Sequence, residues 1–197
     1  MTCAAAGSTL SLIEPDDRLP DRMESGGVLL RRWVVDDVPE LNRAVEESLD
    51  HLRPWMPWVA LEPLSIEARR DLVQLWDREE TEGAGTVFGI FVDNQIAGGT
   101  GLHRRIGPRG FEIGYWVHPR STGRGVATTA ARLLTDAAFS VPSTTHVEIH
   151  HDKANIASGA VPRRLGYRFV GERSDEVAAP GEAGIDCCWR VERDDWA

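Results

Sequence analysis

The stretch Tyr115-Trp116-Val117-His118-Pro119-Arg120-Ser121-Thr122-Gly123-Arg124-Gly125-Val126-Ala127-Thr128 runs from a strand-like segment through a loop of small residues into a helical pattern. Gly123 and Gly125 let backbone N–H groups approach a ligand closely, and the helix that begins there adds the positive end of its dipole. Strand, small-residue loop and helix start together make an anion site, and a pyrophosphate is its natural occupant.

Working outward, Val126 to Phe139 reads as a helix, Thr145 to His150 as a strand and Asn155 to Leu165 as a helix, while 167–173 and 184–192 form a closing antiparallel pair. Upstream, Thr86 to Val92, Ile96 to His103 and Phe111 to Val117 are three strands joined by turn signals at Asp93-Asn94 and Gly107-Pro108-Arg109-Gly110, an antiparallel meander. Before it, Val28 to Val34 reads as a strand. Asp36 or Asp37 can cap a helix through Leu49, with Leu41, Val45 and Leu49 on one face, and Ser65 caps a second helix carrying Ile66, Leu72, Val73, Leu75 and Trp76. Between these helices, the two prolines of Leu52-Arg53-Pro54-Trp55-Met56-Pro57-Trp58 forbid regular helix, so this segment is either a structural loop or a wall of the substrate site. Residues 1–26 show no sustained hydrophobic period and read as a flexible N-terminal tail, and 27–197 as a single domain.

Three ligand classes use loops of this kind. A P-loop needs Lys and then Ser or Thr after its last glycine, whereas Gly125 is followed by Val126 and Ala127. A dinucleotide site is closer, since Gly123-x-Gly125-x-x-Thr128 matches part of the glycine pattern and Glu148 lies at about the right distance for a ribose contact. That motif opens a run of parallel βαβ units, however, and here it follows a meander and leaves one helix before the final hairpin. Coenzyme A remains.

At this point the residues resemble the GCN5-related N-acetyltransferase (GNAT) superfamily. Arg120-x-x-Gly123-x-Gly125-Val126-Ala127 is similar to its pyrophosphate-binding motif, and the element order agrees over residues 28–193. Pro54-Trp55-Met56, Ile113-Gly114-Tyr115-Trp116, Asn155-x-x-Ser158 and Arg164-Leu165-Gly166-Tyr167 resemble the RimJ/RimL-like subgroup, which acetylates protein N-termini among other amines. The resemblance implies an α/β (α+β) GNAT fold: a mixed, mostly antiparallel central sheet of about six to seven strands, with a splayed parallel pair and flanking helices. It implies an acyl-CoA-dependent enzyme that moves acetyl from acetyl-CoA to a primary amine, on a protein N-terminus or a small molecule, in a ternary complex. A homodimer is a further implication.

By the same resemblance, the strand ending at Trp116-Val117-His118 splays from Val147-Glu148-Ile149 and receives the pantetheine arm. Trp116, Val117, His118, Arg120, Gly123, Arg124, Gly125, Val126, Ala127, Thr128, Asn155 and Ser158 are the expected cofactor-binding residues. An unpaired N–H near Val117 or His118 could hold the thioester carbonyl and its developing oxyanion, commonly worth about 3 kcal/mol. Many relatives carry a tyrosine seven residues after the asparagine, where this chain has Pro162, and Ser158 is the expected group beside the leaving sulfur. Asn155 can equally serve as an N-cap. For a base, Glu112 and Glu176 lead, with Glu148, His103 and His118 behind them. Pro162 also admits a non-catalytic acyl-CoA sensor, and a succinyl donor would need a cation such as Arg53, Arg104 or Arg105.

The rest of the sequence is consistent with these readings. A balance of 22 Lys plus Arg against 31 Asp plus Glu, net −9, argues against a nucleic-acid binder and suits a cationic acceptor. Cys3, Cys187 and Cys188 make no disulfide framework, which points to a reducing, cytoplasmic setting. No run of about 18 apolar residues indicates a membrane span. His146, His150 and His151 lack zinc spacing, so no metal is expected.

Overall fold

The computed structural model describes residues 18–81, 83–107 and 109–196. One eight-stranded sheet, in the order β1-β2-β3-β4-β5-β6-β8-β7, organises them. Its strands are β1 (Arg22–Ser25), β2 (Val28–Arg32), β3 (Gly85–Val92), β4 (Gln95–His103), β5 (Gly110–Val117), β6 (His146–Asp152), β7 (Arg168–Ser174) and β8 (Ile185–Glu192). All neighbours run antiparallel except β5 and β6.

The eighth strand comes from the segment expected to be tail. Arg22–Ser25 pairs with Val28–Arg31 across a Gly26-Gly27 turn, and Leu19 before it is buried. Charged and polar residues dominate this edge strand, which is why no hydrophobic period announced it; residues 1–17 of the expected tail, with Cys3, lie outside the described residues, as does Pro108 of the second meander turn.

Five helices cover the sheet: α1 (Val38–Glu46), α2 (Leu49–Leu52), α3 (Ile66–Thr81), α4 (Val126–Ser140) and α5 (Ile156–Leu165). The single helix expected through Leu49 is two, because the chain breaks at Glu47-Ser48, where the Ser48 hydroxyl donates to Ala44 O at 2.6 Å. Asp37 precedes α1 and accepts from Val34 N at 2.9 Å while both guanidinium nitrogens of Arg31 hold its carboxylate at 2.7 Å.

Alternation along the strands divides the core in two. Leu30, Ile90, Leu102, Ile113 and Ile149 face α4, whose Ala130, Leu134 and Ala138 are buried against them. On the other face Leu41 and Val45 of α1 and Val73 of α3 pack with Trp33 and Phe91. Each such large side chain contributes about 1.5–3 kcal/mol by leaving water.

Candidate active site

β5 and β6 stay paired only from Gly110↔His146 to Ile113↔Ile149. Beyond that point β5 follows β4 to Val117, while His150–Asp152 follow β8, so the sheet opens between them. The opening thus begins just past the Val147–Ile149 segment where it was expected. Period-two alternation sends Ile113, Tyr115 and Val117 to the α4 face and Glu112, Gly114 and Trp116 to the α1 and α3 face. A cleft of about 860 Å³ runs through the opening and is lined by Glu112, Gly114, Trp116, Asn155 and Ser158.

On the α4 face, the loop from Pro119 to Gly125 leads into α4. Gly123 and Gly125 adopt φ of +72° and +78°, and a Cβ added at either would meet nothing within 4 Å. Gly125 is the N-cap of α4 and has no side-chain acceptor to offer, so the first-turn N–H groups are uncapped, with Thr129 N reaching Gly125 O at 2.9 Å where the helical ladder begins. Gly123, Arg124 and Gly125 are exposed, Val126 is buried, and Ala127 and Thr128 are partly buried. Arg120 anchors the loop by donating to Ile96 O at 3.1 Å and lies 3.6 Å from a Glu47 carboxylate oxygen.

His118 also belongs to this anchoring. Its ring is buried, Nδ1 accepts from Arg120 N at 3.2 Å and Nε2 lies 3.1 Å from Glu47 Oε2. Its backbone N–H donates to Ala97 O at 2.8 Å, so it is not the expected unpaired donor. The antiparallel ladder alternates, so Trp116 N–H points toward β4 as His118 does, and Val117 N–H points into the opening. Trp116 therefore contributes its ring, on the opposite face, rather than its backbone.

Asn155 caps α5, its Oδ1 accepting from Ser158 N at 3.1 Å, which places Ser158 in the first turn facing the cleft. Tyr115, unnoticed as a functional candidate in the sequence, reaches this turn from β5: its hydroxyl lies 3.1 Å from both Ser158 O and Ser158 Oγ. Strand parity could have found it, since Tyr115 shares the face onto which α5 packs. Pro162 is buried inside α5, away from any proton donor's role.

Glu112 stands on the other side of the opening, one-fifth exposed and 3.1 Å from Arg105. Its cross-strand partner His103 also lines the cleft, where burial, and then the charge of Arg105, hold its pKa down at about 4; it is neutral and a poor base. Glu148 is buried, and although burial pushes its pKa up, hydrogen bonds from His150 and Arg190 win and hold it at about 2. His150 in turn bridges Glu148 Oε2 at 2.8 Å and Asp186 Oδ2 at 2.9 Å; burial opposes its charge, but the two carboxylates raise its pKa to about 9. Glu148, His150 and Cys188 present ligand atoms within 4.8 Å of one another, yet the Arg190 guanidinium already occupies Glu148, with Nε at 2.6 Å. Glu176 lies exposed at the cleft rim in the β7–β8 segment. Of the three cations considered for a succinyl donor, Arg105 alone lines the cleft, Arg104 stacks 4.2 Å over the Phe111 ring, and Arg53 is exposed.

The α1 and α3 side of the cleft is aromatic. Trp33, Trp55, Trp58, Trp76 and Trp116 line it, and Trp58 meets Trp116 edge-on with ring centroids 6.3 Å apart. The proline-rich loop is therefore a cleft wall as well as a structural connection, with a 3-10 turn at Pro57–Leu61. Beneath it Glu62 and Arg69 form an almost fully buried ion pair at 2.7 Å, and Arg69 Nε donates to Asn42 Oδ1 at 3.2 Å.

A sheet opened between a parallel pair, an uncapped glycine loop on one face and a carboxylate-bearing cleft on the other define an acyl-group transferase of one fold family. The match to known proteins agrees: a family model described as an acetyltransferase (GNAT) domain covers residues 28–168, and the chain belongs to that family. In fold the chain is similar to RimL and RimJ. YdaF of Bacillus subtilis (strain 168), a candidate ribosomal N-acetyltransferase, is 28% identical over 157 residues, covering 78% of this chain and 85% of YdaF. RimL, a ribosomal L7/L12 α-N-protein acetyltransferase solved in complex with coenzyme A, superposes with a TM-score of 0.78 at 23% identity, covering 88% of this chain and 97% of RimL. RimJ of Mycobacterium smegmatis, in complex with CoA-disulfide, gives 0.74 at 23% identity, over 85% of this chain and 82% of RimJ.

Proposed function

We propose that this protein transfers the acetyl group of acetyl-CoA to a primary amine, the α-amine of a protein N-terminus, by direct attack while donor and acceptor are both bound. One observation carries the reading: β5, which opens from β6 past Ile113, leads at its end into the uncapped loop before α4 and lines, with Glu112 and Trp116, an aromatic cleft at the opening. Family membership and the ribosomal-protein acetyltransferases among its relatives support the donor and the kind of acceptor.

Coenzyme A fits the residues present. The open space before Gly123 and Gly125 and the uncapped N–H groups of the first α4 turn suit a pyrophosphate, with Arg124 beside them. Val126, Ala127 and Thr128 supply that turn, while Val117, Asn155 and Ser158 border the opening beyond it. When bound, the cosubstrate supplies an acyl thioester.

The chain's own groups then divide the work by face. Val117 N–H is the donor available to a carbonyl oxygen in the opening. Glu112, on the acceptor face, takes the proton of the incoming ammonium once Arg105 gives way, and an α-amine, with an ordinary pKa of about 8, needs little help. Glu148 is too firmly held as an ionised partner of His150 and Arg190 to serve, and Glu176 at the rim is better placed to meet the acceptor than to deprotonate it. Ser158 Oγ supplies the hydrogen bond for the departing sulfur. Free Cys187 and Cys188 support a reducing, cytoplasmic setting.

Calorimetric titration with CoA, acetyl-CoA, succinyl-CoA and NAD in parallel tests the donor. Binding of CoA and acetyl-CoA without NAD is expected; tighter binding of succinyl-CoA would overturn the acetyl donor, and binding of NAD or of nothing would overturn the reading.

A further inference from the structure

Residues 175–184, between β7 and β8, lie along the acceptor side of the cleft and contribute Asp175, Glu176, Ala178 and Glu182 to its lining. One side chain holds the end of this segment. Asp152, the last residue of β6, accepts the N–H groups of Ala154 at 2.7 Å and Ala183 at 2.9 Å on Oδ1, and those of Gly184 at 2.9 Å and Ile185 at 3.2 Å on Oδ2. Its backbone carbonyl accepts Asn155 N at 2.9 Å, and Asn155 is the cap that fixes Ser158. At the far side Gly181 N donates to Pro54 O at 2.8 Å, next to Trp55 and Met56 of the cleft wall. Glycine is required there, since a Cβ at 181 would sit 2.6 Å from Pro54 O and 2.7 Å from Pro54 Cβ.

We propose, resting on the acetyltransferase reading, that Asp152 is a positioning residue: it ties the 175–184 strap, and through Gly181 the tryptophan loop, to the helix start that carries Ser158. The acceptor wall and the serine beside the leaving group then hold a common geometry. A carboxylate is needed because four backbone donors converge on two oxygens, and charge-assisted bonds are about twice as strong as neutral ones. Burial pushes the Asp152 carboxyl up, but these four donors outweigh it and keep the group below its ordinary range.

Amide hydrogen exchange and steady-state kinetics on the full chain test this with two variants that cut the tie at opposite ends. Asp152→Asn turns an NH2 group toward backbone donors, and Gly181→Ala pushes the strap off Pro54 with Asp152 intact. Loss of two charge-assisted hydrogen bonds predicts exchange at least roughly ten-fold faster at 178–185, 54–58 and 156–159 in Asp152→Asn. Gly181→Ala speeds 178–182 and 54–58 but spares 156–159; in both variants 126–140 is unchanged. Acceptor KM rises about ten-fold in both, kcat falls in Asp152→Asn alone, and acetyl-CoA affinity changes less than about three-fold. Unaltered exchange at 54–58 in Asp152→Asn, or a parallel loss of acetyl-CoA affinity, overturns the proposal. A wild-type chain that acetylates no amine would sink the activity reading instead, and the exchange pattern would still decide the tie.

Discussion

The Tyr115 hydroxyl lies 3.1 Å from both the carbonyl oxygen and Oγ of Ser158, joining the splayed end of β5 to the first turn of α5. Burial pushes the phenol up to about 12 despite the opposing hydrogen bond to Ser158, so it stays protonated at working pH and acts as a fixed donor rather than a proton source. A phenol proton given to the Ser158 carbonyl leaves Oγ–H available to the departing sulfur. Ser158→Ala should therefore lower kcat about ten-fold or more while changing the acetyl-CoA dissociation constant less than about three-fold. An equal loss in both, measured by single-turnover kinetics and calorimetry, would mark the serine as a binding contact alone.

Glu112→Gln removes the carboxylate that lines the cleft from the α1 and α3 side of β5, beside Arg105. General-base loss predicts a fall in kcat/KM of about 100- to 10,000-fold with acetyl-CoA binding intact. Activity within a factor of a few of wild type would shift the role to water.

Gly123→Glu with Arg124→Glu places a side chain at a φ of +72° and two carboxylates before the uncapped α4 turn. Losing one or more charge-assisted hydrogen bonds of about 1.5–3 kcal/mol predicts at least a roughly ten-fold weaker CoA affinity. Calorimetry on the folded double variant checks it, and unchanged affinity would remove the pyrophosphate from this loop.

The Glu148–His150–Asp186 network gives stability a defined pH window. His150 sits at about 9 in the fold against an ordinary 6.5, so its contribution is complete below pH 6.5 and is lost as pH rises through 9. Glu148 sits at about 2 against an ordinary 4.5, so its contribution is complete above pH 4.5 and is lost as pH falls through 2. The melting temperature should decline as pH rises from 6.5 through 9 in the wild type, and His150→Gln should start lower and decline less. Parallel curves for the two proteins would contradict the assignment.

The fold was legible wherever hydrophobic period and turn chemistry agreed, as in the β3–β5 meander and the Gly123–Gly125 helix start. It was not legible at Arg22–Ser25, because an edge strand rich in charge needs no apolar alternation to pair. Ser158 was expected from the family resemblance alone, whereas the glycine loop could be read from local pattern. The division of Glu112 and Ser158 between two faces of one opening could not, since it depends on where β5 leaves β6. Glu148 looked like a base for the same reason: only the cross-strand register with Arg190 and the bridge through His150 reveal that its charge is already committed. Asp152 carried no signal at all, because its partners are backbone N–H groups of a distant segment.

The central claim is tested most directly by incubating the protein with acetyl-CoA and a peptide bearing a free α-amine, following thiol release and the mass of the peptide, with Glu112→Gln alongside. One acetyl group on the α-amine, released thiol in equal amount and strong loss in the variant are predicted. Tight acetyl-CoA binding with no transfer to any peptide or small amine would contradict the account and leave an acyl-CoA sensor in its place.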